Sequence, residues 1–183
     1  MLALSTTLLL GCNQQSNKSK DKKVFRYNEA SGISSLDPAF AKGQADIWAC
    51  NQLYNGLVQI NDELEAVPAI AKSWEISEDG TLYTFHLRDD VYFHDDPNFK
   101  NGKGRKVTAH DFQFSFKRIL DPAVASPGNW VFNTVAFDST TSTYSFKAVD
   151  DSTFTIQLTK PFPPFIGLLT SLYCSVVPSE VVN

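Results

Sequence analysis

The sequence contains no GxSxG, HExxH or CxxC run. It therefore lacks the usual signatures of a serine nucleophile, a helical zinc site and a redox dithiol. Its three histidines, His86, His94 and His110, stand at unrelated spacings that make no zinc motif. The paired carboxylates Asp89-Asp90 and Asp150-Asp151 are adjacent in sequence. Strand neighbours point to opposite faces, so neither pair suits acid/base work. No catalytic residue, metal ligand set or cofactor is expected. Positive charge is also scarce: the formal net charge of −4 argues against a nucleic-acid surface. No uninterrupted apolar run approaches the roughly 20 residues needed to span a bilayer as a helix.

What is present is the material of a core. Hydrophobic residues make up 43% of the 183 residues and include fourteen Phe, which excludes a disordered or fibrous chain. Ser73-Trp74-Glu75-Ile76 reads as a strand, Asp79-Gly80 as a turn, and Leu82 to Arg88 as the returning strand. In that return Tyr83, Phe85 and Leu87 alternate with Thr84, His86 and Arg88, the period of a strand buried on one face. A second hairpin of the same chemistry is predicted for residues 144–149 and 153–158 around Asp150-Asp151. Leu57-Val58-Gln59-Ile60 and residues 24–27 read as further strands.

Helices are predicted at 44–54, 109–120 and 165–172. The first carries Ile47, Cys50 and Leu53 at helical spacing, with Asn55-Gly56 as a left-handed C-cap. The second has the best-defined start: Thr108 as N-cap, Asp111 completing a capping box, and Val107 with Phe112 as a hydrophobic staple. Its inward stripe is Phe112, Phe116, Ile119 and Leu120, leaving Lys117 and Arg118 in water. Residues 95–106 read as a solvated basic loop; Asn101-Gly102-Lys103-Gly104 lacks the spacing of a phosphate-binding loop. His94-Asp95-Asp96 reads as part of a turn in preference to a weak cation site. Cys50 is expected as a packed free thiol, with pairing to Cys174 left open.

The ends differ from the middle. Residues 2–10 are apolar and short and run into Leu9-Leu10-Gly11-Cys12, which resembles a bacterial lipobox. No Lys or Arg precedes the apolar run, which leaves a start codon further upstream open. The alternative is an ordinary apolar N-terminus that ends in Cys. The expected division is a lipoprotein signal at 1–12 with Cys12 acylated, a polar tether at 13–23, and the folded part at 24–183. Acyl chains on Cys12 would anchor the protein to a membrane without spanning it.

The order of the features in 67–93 is more informative than their periodicity. Pro68-x-x-Ala71-x-Ser73-Trp74-Glu75, then an acidic residue and Gly80, then Tyr83-Thr84-Phe85-x-Leu87-Arg88, is followed by Val107-Thr108-Ala109-x-Asp111-Phe112. Together with Ser35-Leu36-Asp37-Pro38 and Leu53-Tyr54-Asn55-Gly56-Leu57, this ordered set resembles the family 5 extracytoplasmic solute-binding proteins, the oligopeptide, dipeptide and nickel receptors of ABC importers. The resemblance implies a mixed α/β (α+β), periplasmic-binding-protein-like fold of two lobes, of which this chain would supply part of the first. It implies capture of a short peptide by hinge closure, delivery to ABC permease subunits, an extracytoplasmic location and a monomer. A receptor of the same fold for nickel, haem or an oligosaccharide is the first alternative, and a surface lipoprotein hydrolase the second. By the same resemblance, the loop before Leu36-Asp37-Pro38 faces the cleft, which places Ser31, Gly32, Ile33 and Ser34 at the ligand; a plain connection is the other reading. In the oligopeptide branch the segment matching 125–132 carries an aromatic that touches peptide. Gly128 and Asn129 replace part of that pattern here, leaving Trp130 as either a cleft residue or a buried tryptophan.

Overall fold

Phe85 and Phe154, from two separate hairpins, are direct cross-strand partners in one sheet. The computed structural model describes Arg26 and residues 28–182. Cys12, the polar tether and the strand expected at 24–27 lie outside the described residues, apart from Arg26. The chain divides into two compact units, residues 1–30 and 31–183.

The helices of the second unit are α1 (Gln44–Asn51), α2 (Ala109–Leu120), α3 (Phe165–Leu168) and α4 (Ser179–Val182). Its strands are β1 (Val58–Ile60), β2 (Ala66–Pro68), β3 (Ala71–Ile76), β4 (Leu82–Leu87), β5 (Phe137–Asp138), β6 (Thr143–Tyr144), β7 (Phe146–Ala148) and β8 (Thr153–Gln157). An antiparallel four-stranded sheet has the order β3-β4-β8-β7, with β1-β2 and β5-β6 as separate ribbons. The fold is mixed α/β, as expected. Among the described residues no helix is long and apolar enough to cross a membrane.

The alternation in β4 does what its period requires. Tyr83, Phe85 and Leu87 are buried, and the cross-strand partners Ile156 and Phe154 are buried with them. α2 covers this face with Phe112 and Phe116; the Phe116 ring lies 5.6 Å from Phe154, 5.5 Å from Phe146 and 4.8 Å from Phe132. Such aromatic contacts add about 0.5–1.5 kcal/mol each beyond the area they bury. The start of α2 is also as read: the Asp111 carboxylate accepts from the Thr108 backbone N–H at 2.8 Å, and Val107 and Phe112 are buried. Gly80 takes φ +69° in the first hairpin turn. The Asp79 carboxylate accepts from Ser77 and Thr81 there, as Asp150 does from Ser152 in the second.

Several expectations are corrected. α1 stops at Asn51, because Gln52 closes it in a right-handed conformation and its N–H returns to Ala49 and Cys50. Gly56 is needed for a different reason: a Cβ there would lie 2.9 Å from the Cys174 carbonyl oxygen. The helix expected at 165–172 is only α3, since the Thr170 and Ser171 amides tighten to the carbonyls three residues back. The second hairpin breaks at Ser145, whose N–H donates to Ala136, so Tyr144 belongs to the β5-β6 ribbon.

Two arginines expected to lie free in water are instead held by carboxylates. Arg118 has a side chain only 12% exposed. Arg105 lies 5.2 Å over the Phe93 ring and grips Asp111 (2.6 and 2.8 Å) and Glu180 (2.6 and 2.9 Å). It thereby ties α4 to the start of α2. Its neighbour Gly104 must be glycine, because a Cβ would fall 1.8 Å from the Phe93 carbonyl oxygen. Asp96 receives Asn98, which is turn chemistry, while Asp95 receives Lys103 Nζ and the Gly104 N–H from further along the loop. Cys50 and Cys174 are both buried free thiols.

Candidate functional site

The residues singled out before Leu36-Asp37-Pro38 form an exposed loop pinned from two sides. Gly32 adopts φ +71°, with nothing within 4 Å of where a Cβ would be. Glycine is thus required by backbone conformation, not by crowding. Ile33 follows at 50% exposure. Ser34 is the first anchor: its N–H and its hydroxyl each donate to the Asp46 carboxylate at 2.7 Å. Asp46 is buried in the first turn of α1, and these hydrogen bonds from Ser34 hold its carboxyl below the ordinary carboxylate range.

The second anchor is a run of alternate residues just after the loop. Arg118 reaches from α2 to Asp37 with two bonds of 2.6 and 3.0 Å, and stacks over Phe40 at 5.5 Å. Ser126 Oγ donates to the Ala39 carbonyl at 2.7 Å. The Tyr173 hydroxyl donates to the Ala41 carbonyl at 2.8 Å. Residues 37, 39 and 41 are therefore held by three side chains that are all remote from them in sequence. Asp37 also accepts the Ala39 N–H at 2.9 Å, which closes the 3-10 turn Pro38–Phe40.

Trp130 sits in the 3-10 turn Asn129–Phe132 and is 49% exposed, while Val131 and Phe132 enter the core. The buried-tryptophan reading is corrected: the first two residues of this turn, Asn129 and Trp130, are exposed, and the next two, Val131 and Phe132, are buried. The connection between Trp130 and the loop runs through Ser126, which bonds both Ala39 and the Gly128 N–H (3.2 Å). Large apolar side chains are left exposed on these same segments, namely Ile33, Leu36, Phe40, Trp48 and Trp130.

Sequence reasoning missed Asp46, Arg118, Ser126 and Tyr173, because each acts on a partner far away in the chain. The one hint was that Gly128 and Asn129 depart from the family pattern in this segment. Among the described residues no group of three His, Cys, Asp or Glu is placed to hold a metal ion. Burial pushes both thiols up from their ordinary value, away from the thiolate. A cavity of about 270 Å³ opens between Tyr54, Phe93, Phe99, Val176 and Val181, and none of the five candidate residues lines it.

The description "Bacterial extracellular solute-binding proteins, family 5 Middle" matches residues 65–181, well over half of the chain. The chain belongs to this family. The matched segment holds both hairpins, α2, Trp130 and Tyr173, and begins after residues 31–34. The chain is similar to the periplasmic oligopeptide-binding protein OppA of Salmonella typhimurium, 33% identical over 173 residues, covering 89% of this chain and 30% of that protein. It is likewise similar to heme-binding protein A of Haemophilus influenzae, 34% identical over 199 residues, covering 100% of this chain and 36% of the relative. Among solved structures it resembles the periplasmic binding protein DppA from Helicobacter pylori in complex with the peptide STSA. That match has TM-score 0.68 and 33% identity and covers 82% of this chain and 30% of that one. The chain thus spans about a third of the length of these family members, and its fold is part of the periplasmic-binding-protein architecture. The relatives are named as binding proteins, and two of the three as periplasmic.

Proposed function

We propose that this chain is part of the solute-binding component of an ABC importer that captures short peptides and hands them to its permease. The observation that carries the reading is family membership joined to a structural relative holding the peptide STSA. The loop geometry agrees with it. An extended peptide binds well as an added strand, through main-chain hydrogen bonds that tolerate many side chains. Ser34 N–H already donates to Asp46, which moves the proposed contact to the main chain of Gly32 and Ile33, with Ser31 and Ser34 flanking it. Trp130 would offer an apolar wall to a ligand side chain. Ligand contacts from two lobes would favour closure, because only differential affinity shifts that population. The receptor would return its ligand chemically unaltered, would work as a monomer outside the cytoplasm, and would be held at a membrane by acylated Cys12.

A haem ligand is the second reading, favoured by the similarity to heme-binding protein A. Native mass spectrometry of the full-length protein purified from cells separates the two. Co-purified masses in the peptide range support the proposal, while a haem mass with a Soret absorbance would replace it.

A further inference from the structure

Gly128 is buried beneath the Tyr173 ring, and a Cβ built on it would lie 2.1 Å from Tyr173 Cγ and 2.6 Å from Tyr173 Cβ. Those atoms are the root of the side chain and cannot swing aside as a flexible tip can. The ring is also fixed at its far end, where the hydroxyl donates to Ala41. Gly128 in turn leads directly into the turn that bears Trp130, and its N–H is held by Ser126. One side chain therefore sets the distance between the segment after the exposed loop and the turn carrying the exposed tryptophan.

We infer that Tyr173 and Gly128 are a size-matched pair that positions Trp130, making Tyr173 a specificity-determining positioning residue of the binding face. A side chain at 128 would push the turn off the ring and move Trp130. A smaller residue at 173 would restore the room. The inference rests on the peptide-receptor reading only for the ligand side of its test. The identity of the residue at 128 then matters through its volume alone, and Trp130 contributes more to one ligand side chain than to the peptide main chain.

The test uses full-length protein labelled with 5-fluorotryptophan, with the Trp130 ¹⁹F resonance assigned by its loss in Trp130→Phe. Gly128→Ala should move that resonance and change the ratio of affinities for Ala-Ala-Ala and Ala-Trp-Ala by about tenfold, as coupled neighbours do. In the Tyr173→Ala background the same Gly128→Ala change should leave both readouts where Tyr173→Ala alone puts them, because the added methyl then meets no ring. If Gly128→Ala does not fold, Tyr173→Ala reads the same contact from the other side and must itself move the resonance. An unmoved Trp130 resonance, or equal weakening of both peptides with the ratio intact, would overturn the inference. A parent protein that binds neither peptide would sink the peptide reading instead, and the resonance alone would then decide the positioning.

Discussion

Phe116 meets four other phenylalanine rings in the core, whereas the chain from residue 37 to 41, with Ala39 and Ala41 buried, is also tied by the polar ends of Arg118, Ser126 and Tyr173. The first region is redundant: dispersion and burial are spread over many contacts, so its geometry survives small changes. The second buries only small side chains, such as Ala39 and Ala41, and adds three directional links, each made by a single side chain. A scaffold of the first kind can carry a face of the second kind, which is open to a ligand and still defined in position.

Phe116→Ala should sharpen that contrast most. It removes a fully buried ring from the centre of the aromatic cluster and should cost about 3–5 kcal/mol in denaturant unfolding of the full-length protein. A loss under about 1 kcal/mol, the size of a surface change, would break the comparison at its stronger end.

Arg118→Ala comes next. It leaves the Asp37 carboxylate partly buried without its cation, a loss of roughly 1–3 kcal/mol. Peptide affinity measured by calorimetry should fall further than this loss of stability, because the loop loses an anchor that the core does not need. Equal behaviour of Arg118→Ala and Phe116→Ala in both measurements would erase the distinction between the regions. Thr108→Ala, which removes the cap of α2, should cost about 1 kcal/mol and leave ligand affinity alone.

The smallest effect is with pH. Glu180 is lowered from 4.5 to about 2, chiefly by its hydrogen bonds from Arg105, and Asp46 is lowered by Ser34. A depressed carboxyl stabilises the fold fully above its unfolded value and loses that contribution as pH falls through its folded value. The α4 tether should therefore hold above about pH 4.5 and weaken towards pH 2. Its exposure to solvent and the resulting screening keep the effect below about 1 kcal/mol. Hydrogen exchange of α4 across that range reads it, and a weakening on raising the pH would contradict the assignment.

The legible parts of the chain share one property. β4, α2 and its cap are decided by residues within a turn or two of one another, so Tyr83, Phe85, Leu87, Thr108 and Asp111 stand where the pattern put them. The loop at 31–34 was named from resemblance, and so was Trp130 with its cleft and buried readings both open; the structure supplies their exposure and how they are held. The misreadings have the opposite property. Arg118 and Arg105 look like solvated cations to any local rule, since Asp37 and Glu180 are remote in sequence. Gly56 looks like a cap because its true constraint, the Cys174 carbonyl, is likewise far away.

The sequence by itself determined the two hairpins, the capped helix, the richness of the core and the family that the ordered motifs point to. All of these rest on short-range period and turn chemistry. Only the tertiary structure decided that the hairpins share one sheet, that residues 37, 39 and 41 are clamped, and that Tyr173 fills the room left by Gly128. Those outcomes depend on which surfaces meet in space, and a close approach between distant atoms leaves no periodic trace along the chain.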